Sequence, residues 1–115
     1  MATILIVEDE FDIRELLEAY LTNEGYKVIA AEDGEEALER FHDGHPDLVL
    51  LDLLLPGLDG FQVCRAIREE SDLPVIMLTA LGSEQSELKG FDLRVDDYIA
   101  KPFSMPVLLR RVEAV

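Results

Sequence analysis

The sequence predicts an α/β fold, an open doubly wound sheet of five parallel strands with five helices, and three observations point to it. Five short apolar or β-branched runs alternate with segments whose apolar residues recur at helical spacing. One run, Asp47 to Leu51, has no polar alternation, as expected of a central parallel strand covered on both faces. Acids, a threonine and a lysine stand where the runs end, which is the edge at which such sheets carry their sites.

Thr3 to Val7 is the first strand, and Ile13, Leu16, Leu17, Tyr20 and Leu21 repeat as a helix face. Asn23-Glu24-Gly25 stops that helix, and Tyr26 to Ala31 is the second strand. Asp33 and Glu36 form a capping-box pattern before Ala37, Leu38 and Phe41, with an end expected near Gly44. The third strand, Asp47 to Leu51, is followed by a loop, Pro56-Gly57-Leu58-Asp59-Gly60. Phe61, Cys64 and Ile67 then mark a third helix, expected to end near Ser71. Pro74 to Thr79 is the fourth strand, its proline at the entry where a missing N–H does least harm. A polar stretch between Gly82 and Gly90 is the weakest helix, Asp97 to Ala100 a short fifth strand, and Ser104 caps a last helix whose Met105, Leu108, Leu109 and Val112 share a face.

The 115 residues make one domain, and 49% hydrophobic residues suffice for one core without crosslinks. A single cysteine, Cys64, closes no internal disulfide, and no window approaches a membrane span. The chain is therefore expected to be soluble and cytoplasmic, with no membrane partner. Its formal charge of −15 is uneven: residues 1–60 hold 16 acids and 3 bases, residues 61–115 hold 9 acids and 7 bases. Such a surface repels phosphate backbones, so no nucleic-acid contact is expected of this chain, whereas converging carboxylates would attract a divalent cation. The chain stops at Val115 with no helix stop signal, as expected of either a trimmed chain or a linker to a further segment.

The strand ends carry Glu8-Asp9-Glu10, Asp52, Thr79 and Lys101. If the first and third strands are neighbours, Glu8, Asp9 and Asp52 lie close enough to demand a cation, and Mg²⁺ (or Mn²⁺) suits oxygen ligands of this kind. Thr79 and Lys101 add a hydroxyl donor and a point charge suited to phosphoryl oxygens. Taken singly, Glu8 and Asp9 also fit a solvated helix N-terminus. Asp52, set between Leu48 to Leu51 and Leu53 to Leu55, is harder to explain without a partner.

Glu8-Asp9, Leu51-Asp52-Leu53, Pro56-Gly57-Leu58-Asp59-Gly60, Leu78-Thr79-Ala80 and Asp96-Asp97-Tyr98-Ile99-Ala100-Lys101-Pro102-Phe103 closely resemble the receiver domain of two-component response regulators, along the whole chain. The resemblance implies a CheY-like (flavodoxin-like) sheet of strand order 2-1-3-4-5. It implies that Asp52 is a phosphoacceptor served by a sensor histidine kinase or a small acyl phosphate, in a phosphorelay that regulates an output, transcription above all. By the same resemblance, Glu8, Asp9, Asp52 and the backbone carbonyl of Leu54 hold Mg²⁺, and Thr79 and Lys101 contact the phosphoryl group. Thr79 and Tyr98 form a switch that repacks the face of the fourth helix, fifth strand and fifth helix. A cis peptide before Pro102 is also implied. The first helix would dock the kinase through Ile13, Arg14 and Leu17, of which Leu17 equally fits the core.

The loop and the Lys101-Pro102-Phe103-Ser104 ending look most like receivers of winged-helix (OmpR/PhoB-type) transcription factors, which dimerise on phosphorylation through charge pairs on that face. Asp97 and Arg111 match one such pair. Glu87 and Val107 depart from a second, and Arg94-Val95 from a common Gly-Ala. DNA contact would then belong to the domain beyond Val115. Self-phosphorylation from a donor and autodephosphorylation are the only reactions expected of the chain itself.

His42 and His45 lack a third ligand at zinc spacing, and Cys64 lies on an apolar helix face, so surface and core roles are expected. Two rival readings use related chemistry. A phosphohydrolase of the haloacid dehalogenase kind needs a second Asp where Leu54 stands, and a flavin carrier needs a phosphate loop where Glu8-Asp9-Glu10 stands. A third, a receiver-like interaction module that is never phosphorylated, retains the same residues.

Overall fold

The computed structural model describes residues 2–53, 55–79, 95–101 and 103–115. The elements run β1 (Thr3–Val7), α1 (Phe11–Asn23), β2 (Lys27–Ala31), α2 (Gly34–Gly44), β3 (Leu48–Asp52), α3 (Gly60–Arg68), β4 (Val75–Thr79), β5 (Asp97–Ala100) and α4 (Met105–Ala114). Four helices are thus present among the described residues. The expected helix between Gly82 and Gly90 lies outside them, as do Leu54, Ala80, Glu87, Arg94 and Pro102.

All strand pairs are parallel, in the order β2-β1-β3-β4-β5. The expected five-stranded, doubly wound parallel sheet is therefore observed. Side-chain alternation divides its core into two layers. Leu5, Val7, Val49, Leu51, Val75 and Met77 pack with Ala37 and Phe41 of α2 and Val63, Cys64 and Ile67 of α3. Ile4, Ile6, Leu48, Leu50, Ile76 and Leu78 pack with Leu17 and Leu21 of α1 and Leu108 and Val112 of α4. Because helices cover both faces, β3 and β4 are buried at every position, which is why their sequences show no alternation.

Most helix ends follow from local chemistry. The Asp33 side chain accepts the Glu36 N–H (2.8 Å), while the Glu36 carboxylate reaches back to the N–H of Glu32 (2.7 Å). The expected reciprocal box is thus displaced by one residue. At α3, Asp59 and Gln62 form a full capping box, which the glycine-rich loop composition had concealed. Ser104 caps α4 through the Val107 N–H, 3.2 Å away. Two expectations are corrected. Leu16 is 54% exposed, since it lies about 100° around the helix from the Leu17–Leu21 stripe. Helix α3 ends at Arg68 rather than near Ser71, where the Arg68 guanidinium turns to the Leu73 carbonyl (2.6 Å) and Asp96 (3.2 Å).

Candidate functional site

Strand order changes direction between β1 and β3, because β2 is added on one side of β1 and β3 on the other. A crevice at the carboxyl ends of these strands is where such a sheet binds ligands. Register places Val7 beside Leu51 and Asp52 beside Leu78, so Glu8 and Asp52 leave neighbouring strands at one level. Thr79 ends β4 opposite Ala100, and the Lys101 N–H donates to the Thr79 carbonyl (2.6 Å).

The side chains converge. One carboxylate oxygen from each of Glu8, Asp9 and Asp52 lies within 4.8 Å of the others. Glu8, Asp52 and Thr79 are buried, and Asp9 is exposed at the mouth. The Lys101 ammonium bridges the two buried acids, 2.6 Å from Glu8 Oε1 and 3.2 Å from Asp52 Oδ2. Glu8 also accepts the Glu10 N–H at 3.2 Å. Burial above all, then the hydrogen bond and charge of Asp52, push the Glu8 carboxyl up to about 7, against the pull of Lys101. Burial works against the Lys101 ammonium, yet the hydrogen bond to Glu8 and the two negative charges hold its pKa above the ordinary lysine value.

This donor set fits a hard divalent cation. Mg²⁺ with oxygens about 2.1 Å away brings neighbouring ligands to about 3 Å of one another and opposite ones to about 4 Å, close to the spacing of the three carboxylates. Two buried acids sharing a single ammonium leave negative charge that a cation would neutralise. The Leu54 carbonyl, the fourth expected ligand, lies outside the described residues.

The other sequence-derived residues fall in three places. Tyr98 is half-buried on β5 and lines a groove of about 270 Å³ with Phe103, Val107 and Arg111, beside the core layer of α2 and α3. Asp97 and Arg111 are joined to each other, with Arg111 Nη1 2.8 Å from both Asp97 carboxylate oxygens. On α1, Leu17 is wholly buried in the core, and Arg14 is only 8% exposed and turned toward the site. Leu17 thus takes the core alternative, and Arg14 is not available as a docking residue, which corrects that part of the expected kinase surface. Phe11, at 61% exposure, and Leu16 are the large apolar side chains that α1 does expose. Cys64 is buried, and His42 and His45 are exposed, as expected.

Sequence reasoning misassigned one residue that shapes this region and missed the role of another. Arg14 donates to the backbone of the β1–α1 loop, and the signal was its spacing, three and seven residues before Leu17 and Leu21 on the buried stripe. Gly60 packs against the backbone of Asp52 and Leu53, a contact that only the three-dimensional path of the loop reveals.

The geometry agrees with comparisons to known proteins. The family described as "Response regulator receiver domain" matches residues 4–113. The chain is 52% identical over 112 residues to "Probable transcriptional regulator ycf27" of Guillardia theta, covering 97% of this chain and 44% of that protein. Over 112 residues it is 49% identical to "Transcriptional regulatory protein ResD" of Bacillus subtilis, covering 97% and 47%. The chain thus spans about half the length of these curated relatives. Among solved structures, the BeF3-activated N-terminal receiver domain of Klebsiella pneumoniae RstA is 36% identical with a TM-score of 0.92, over 97% of this chain and 96% of that one. Vibrio cholerae chemotaxis protein CheY4 is 31% identical with a TM-score of 0.96, over 100% and 98%. With a family match from β1 into α4 and a parallel sheet that gathers three carboxylates and a lysine at its switch point, the chain belongs to the response regulator receiver domain family.

Proposed function

We propose that this receiver takes a phosphoryl group on Asp52 and passes the signal to an output domain beyond Val115. The observation that carries the reading is the buried Glu8–Lys101–Asp52 bridge with Asp9 beside it, a set of charges arranged around one carboxylate at a strand end. An Asp52 oxygen attacks phosphorus in line as the bond to the donor breaks. The donor is a phosphohistidine of a sensor kinase, whose imidazole leaves and takes up a proton, or an acyl phosphate, whose carboxylate leaves.

Glu8, Asp9 and Asp52 would hold Mg²⁺ or Mn²⁺, with the Leu54 carbonyl as a further ligand. Bound there, the cation would neutralise charge on the transferring oxygens. Lys101 exchanges its contact with Asp52 for a phosphoryl oxygen, which keeps one positive charge within reach throughout transfer. The Thr79 hydroxyl donates to another oxygen, and Tyr98 follows by turning toward the volume that Thr79 leaves. The groove beside Tyr98 is bounded by Val107 and Arg111, so that rotation would reshape the face on which a second copy of the chain would dock. We read the whole protein as a cytoplasmic transcriptional regulator, in keeping with the names of its relatives. Among the described residues no helix is long and apolar enough to cross a membrane.

The test is incubation with acetyl phosphate or beryllofluoride with and without Mg²⁺, followed by mass spectrometry for the phosphoryl adduct and Tyr98 fluorescence for the analogue. The expected adduct requires both the cation and Asp52, and is lost in Asp52→Asn. An unmodified wild type refutes the phosphoacceptor role and favours the interaction-module alternative.

A further inference from the structure

An arginine that is only 8% exposed must have its charge met, and Arg14 meets it in a specific way. Its Nη1 donates to two successive backbone carbonyls, that of Glu8 at 2.9 Å and that of Asp9 at a longer 3.4 Å. Its Nη2 lies 3.2 Å from Glu32 Oε1, just beyond β2, and the guanidinium carbon stands 5.5 Å from the centroid of the Phe11 ring. These carbonyls belong to the two peptide planes that flank the Asp9 Cα. Holding both planes fixes φ and ψ of Asp9, and with them the direction of its Cα–Cβ bond. The Glu8 carboxylate has its own supports, Lys101 and the Glu10 N–H. Among the described residues, no hydrogen bond holds the Asp9 carboxylate, so its aim depends on the backbone.

We propose that Arg14 is a positioning residue for the divalent cation, a guanidinium clamp that aims Asp9, and with it the β1–α1 loop, at the site shared with Glu8 and Asp52. The inference rests on the cation site described above. Arginine suits the role because one rigid planar fork reaches two carbonyls and a carboxylate while stacking near a ring, which a single ammonium does not. Groups that orient metal ligands without touching the metal change metal affinity by about 10–100-fold when removed.

The experiment measures Mg²⁺ binding by calorimetry for wild type, Arg14→Met, Arg14→Lys and Glu32→Gln, alongside thermal midpoints in chelator and the backbone amide shifts of Asp9 and Glu10. Arg14→Met is expected to weaken Mg²⁺ binding by about tenfold or more. Arg14→Lys, which keeps the charge and most of the packing, falls between it and wild type. Glu32→Gln, which leaves the carbonyl clamp intact, stays within about twofold of wild type. At saturating Mg²⁺ the Arg14 variants recover the wild-type rate of phosphorylation by acetyl phosphate, so the defect appears in the Mg²⁺ concentration required and not in the maximal rate. If Arg14→Met does not fold, an intermediate affinity in Arg14→Lys carries the same conclusion. Arg14 variants that lose thermal stability yet bind Mg²⁺ as wild type does overturn the proposal. A wild type that binds no Mg²⁺ overturns the cation site itself, an outcome distinct from the first.

Discussion

Replacing Gly60 with alanine tests how tightly Asp52 is held from behind. A Cβ at this position would lie 2.6 Å from the Asp52 carbonyl oxygen, 2.8 Å from Leu53 Cα and 3.2 Å from the Leu53 oxygen. Ordinary contact begins at 3.4 Å, so the α3 entrance and the end of β3 must separate by about 0.8 Å. All three obstacles are backbone, and the Gly60 N–H to Leu53 carbonyl hydrogen bond (2.9 Å) pulls the two segments together at the same spot. Overpacking of this kind costs about 1–3 kcal/mol, which for a domain of this size lowers the thermal midpoint by about 4–12 °C. The displacement falls on the residue that carries the chemistry, and misplacement approaching 1 Å slows a positioned reaction by about 10–100-fold. Gly57→Ala is the control. Gly57 has φ +75° and nothing within 4 Å of the added Cβ, so alanine there costs about 1–2 kcal/mol of backbone strain without moving Asp52. Scanning calorimetry and the acetyl phosphate rate, both measured well below the midpoints, should show two destabilised variants of which only Gly60→Ala is slow. Equal rates in the two variants, or a Gly60→Ala protein as stable as wild type, would refute the reasoning.

Other changes have equally definite outcomes. Lys101→Met leaves Glu8 and Asp52 without their shared ammonium, so the cation-free protein should lose about 1–3 kcal/mol in chelator while Mg²⁺ binds several-fold more tightly; unchanged affinity would show that lysine and cation do not compete. His42 lies 2.6 Å from Glu70, whose hydrogen bond raises the imidazole pKa above its ordinary value. The pair therefore adds stability below about pH 6.5 that fades as pH rises through the folded value, and Glu70→Gln should bring the His42 NMR titration down toward the ordinary histidine value. Asp97 and Arg111 are paired within the chain and must exchange partners to bridge two copies. Beryllofluoride with Mg²⁺ is expected to double the sedimenting mass at tens of micromolar, and Arg111→Glu to abolish that change while leaving Asp52 modifiable; a constant mass in wild type rules out this dimer.

The parts of the molecule legible in the sequence are those governed by short-range rules. β3 could be recognised as an interior strand because burial on both faces removes the usual alternation. Asp33 and Ser104 could be placed as caps because a side-chain oxygen three residues before a free N–H is a local arrangement. Asp52 stood out because a carboxylate inside a leucine run needs a reason. Arg14 was misassigned for a complementary cause. An arginine on a helix normally signals solvent, and nothing local reveals that two carbonyls of the preceding loop await it. Asp97 and Arg111 were expected to face another chain, since 14 residues of separation conceal that the start of β5 and the last turn of α4 lie side by side. Gly60 was read only as turn chemistry, because its contact with Asp52 depends on the path of the loop between them.

The bond between Lys101 and Glu8 joins residues 93 positions apart, and the one to Asp52 spans 49. The ammonium that reconciles the two buried acids is therefore among the last parts of the domain to leave the ribosome. A nascent chain that has reached β4 already holds the materials for four strands, yet closing them would press two carboxylates together with nothing between. Closing those strands without Lys101 forgoes the same stability, about 1–3 kcal/mol, whose loss is expected of Lys101→Met, so the domain gains this part of its stability only once β5 has docked and delivered residue 101. Fragments ending before Lys101 should therefore be less stable than the full domain, and the charge that serves the chemistry also ties the last strand to the first.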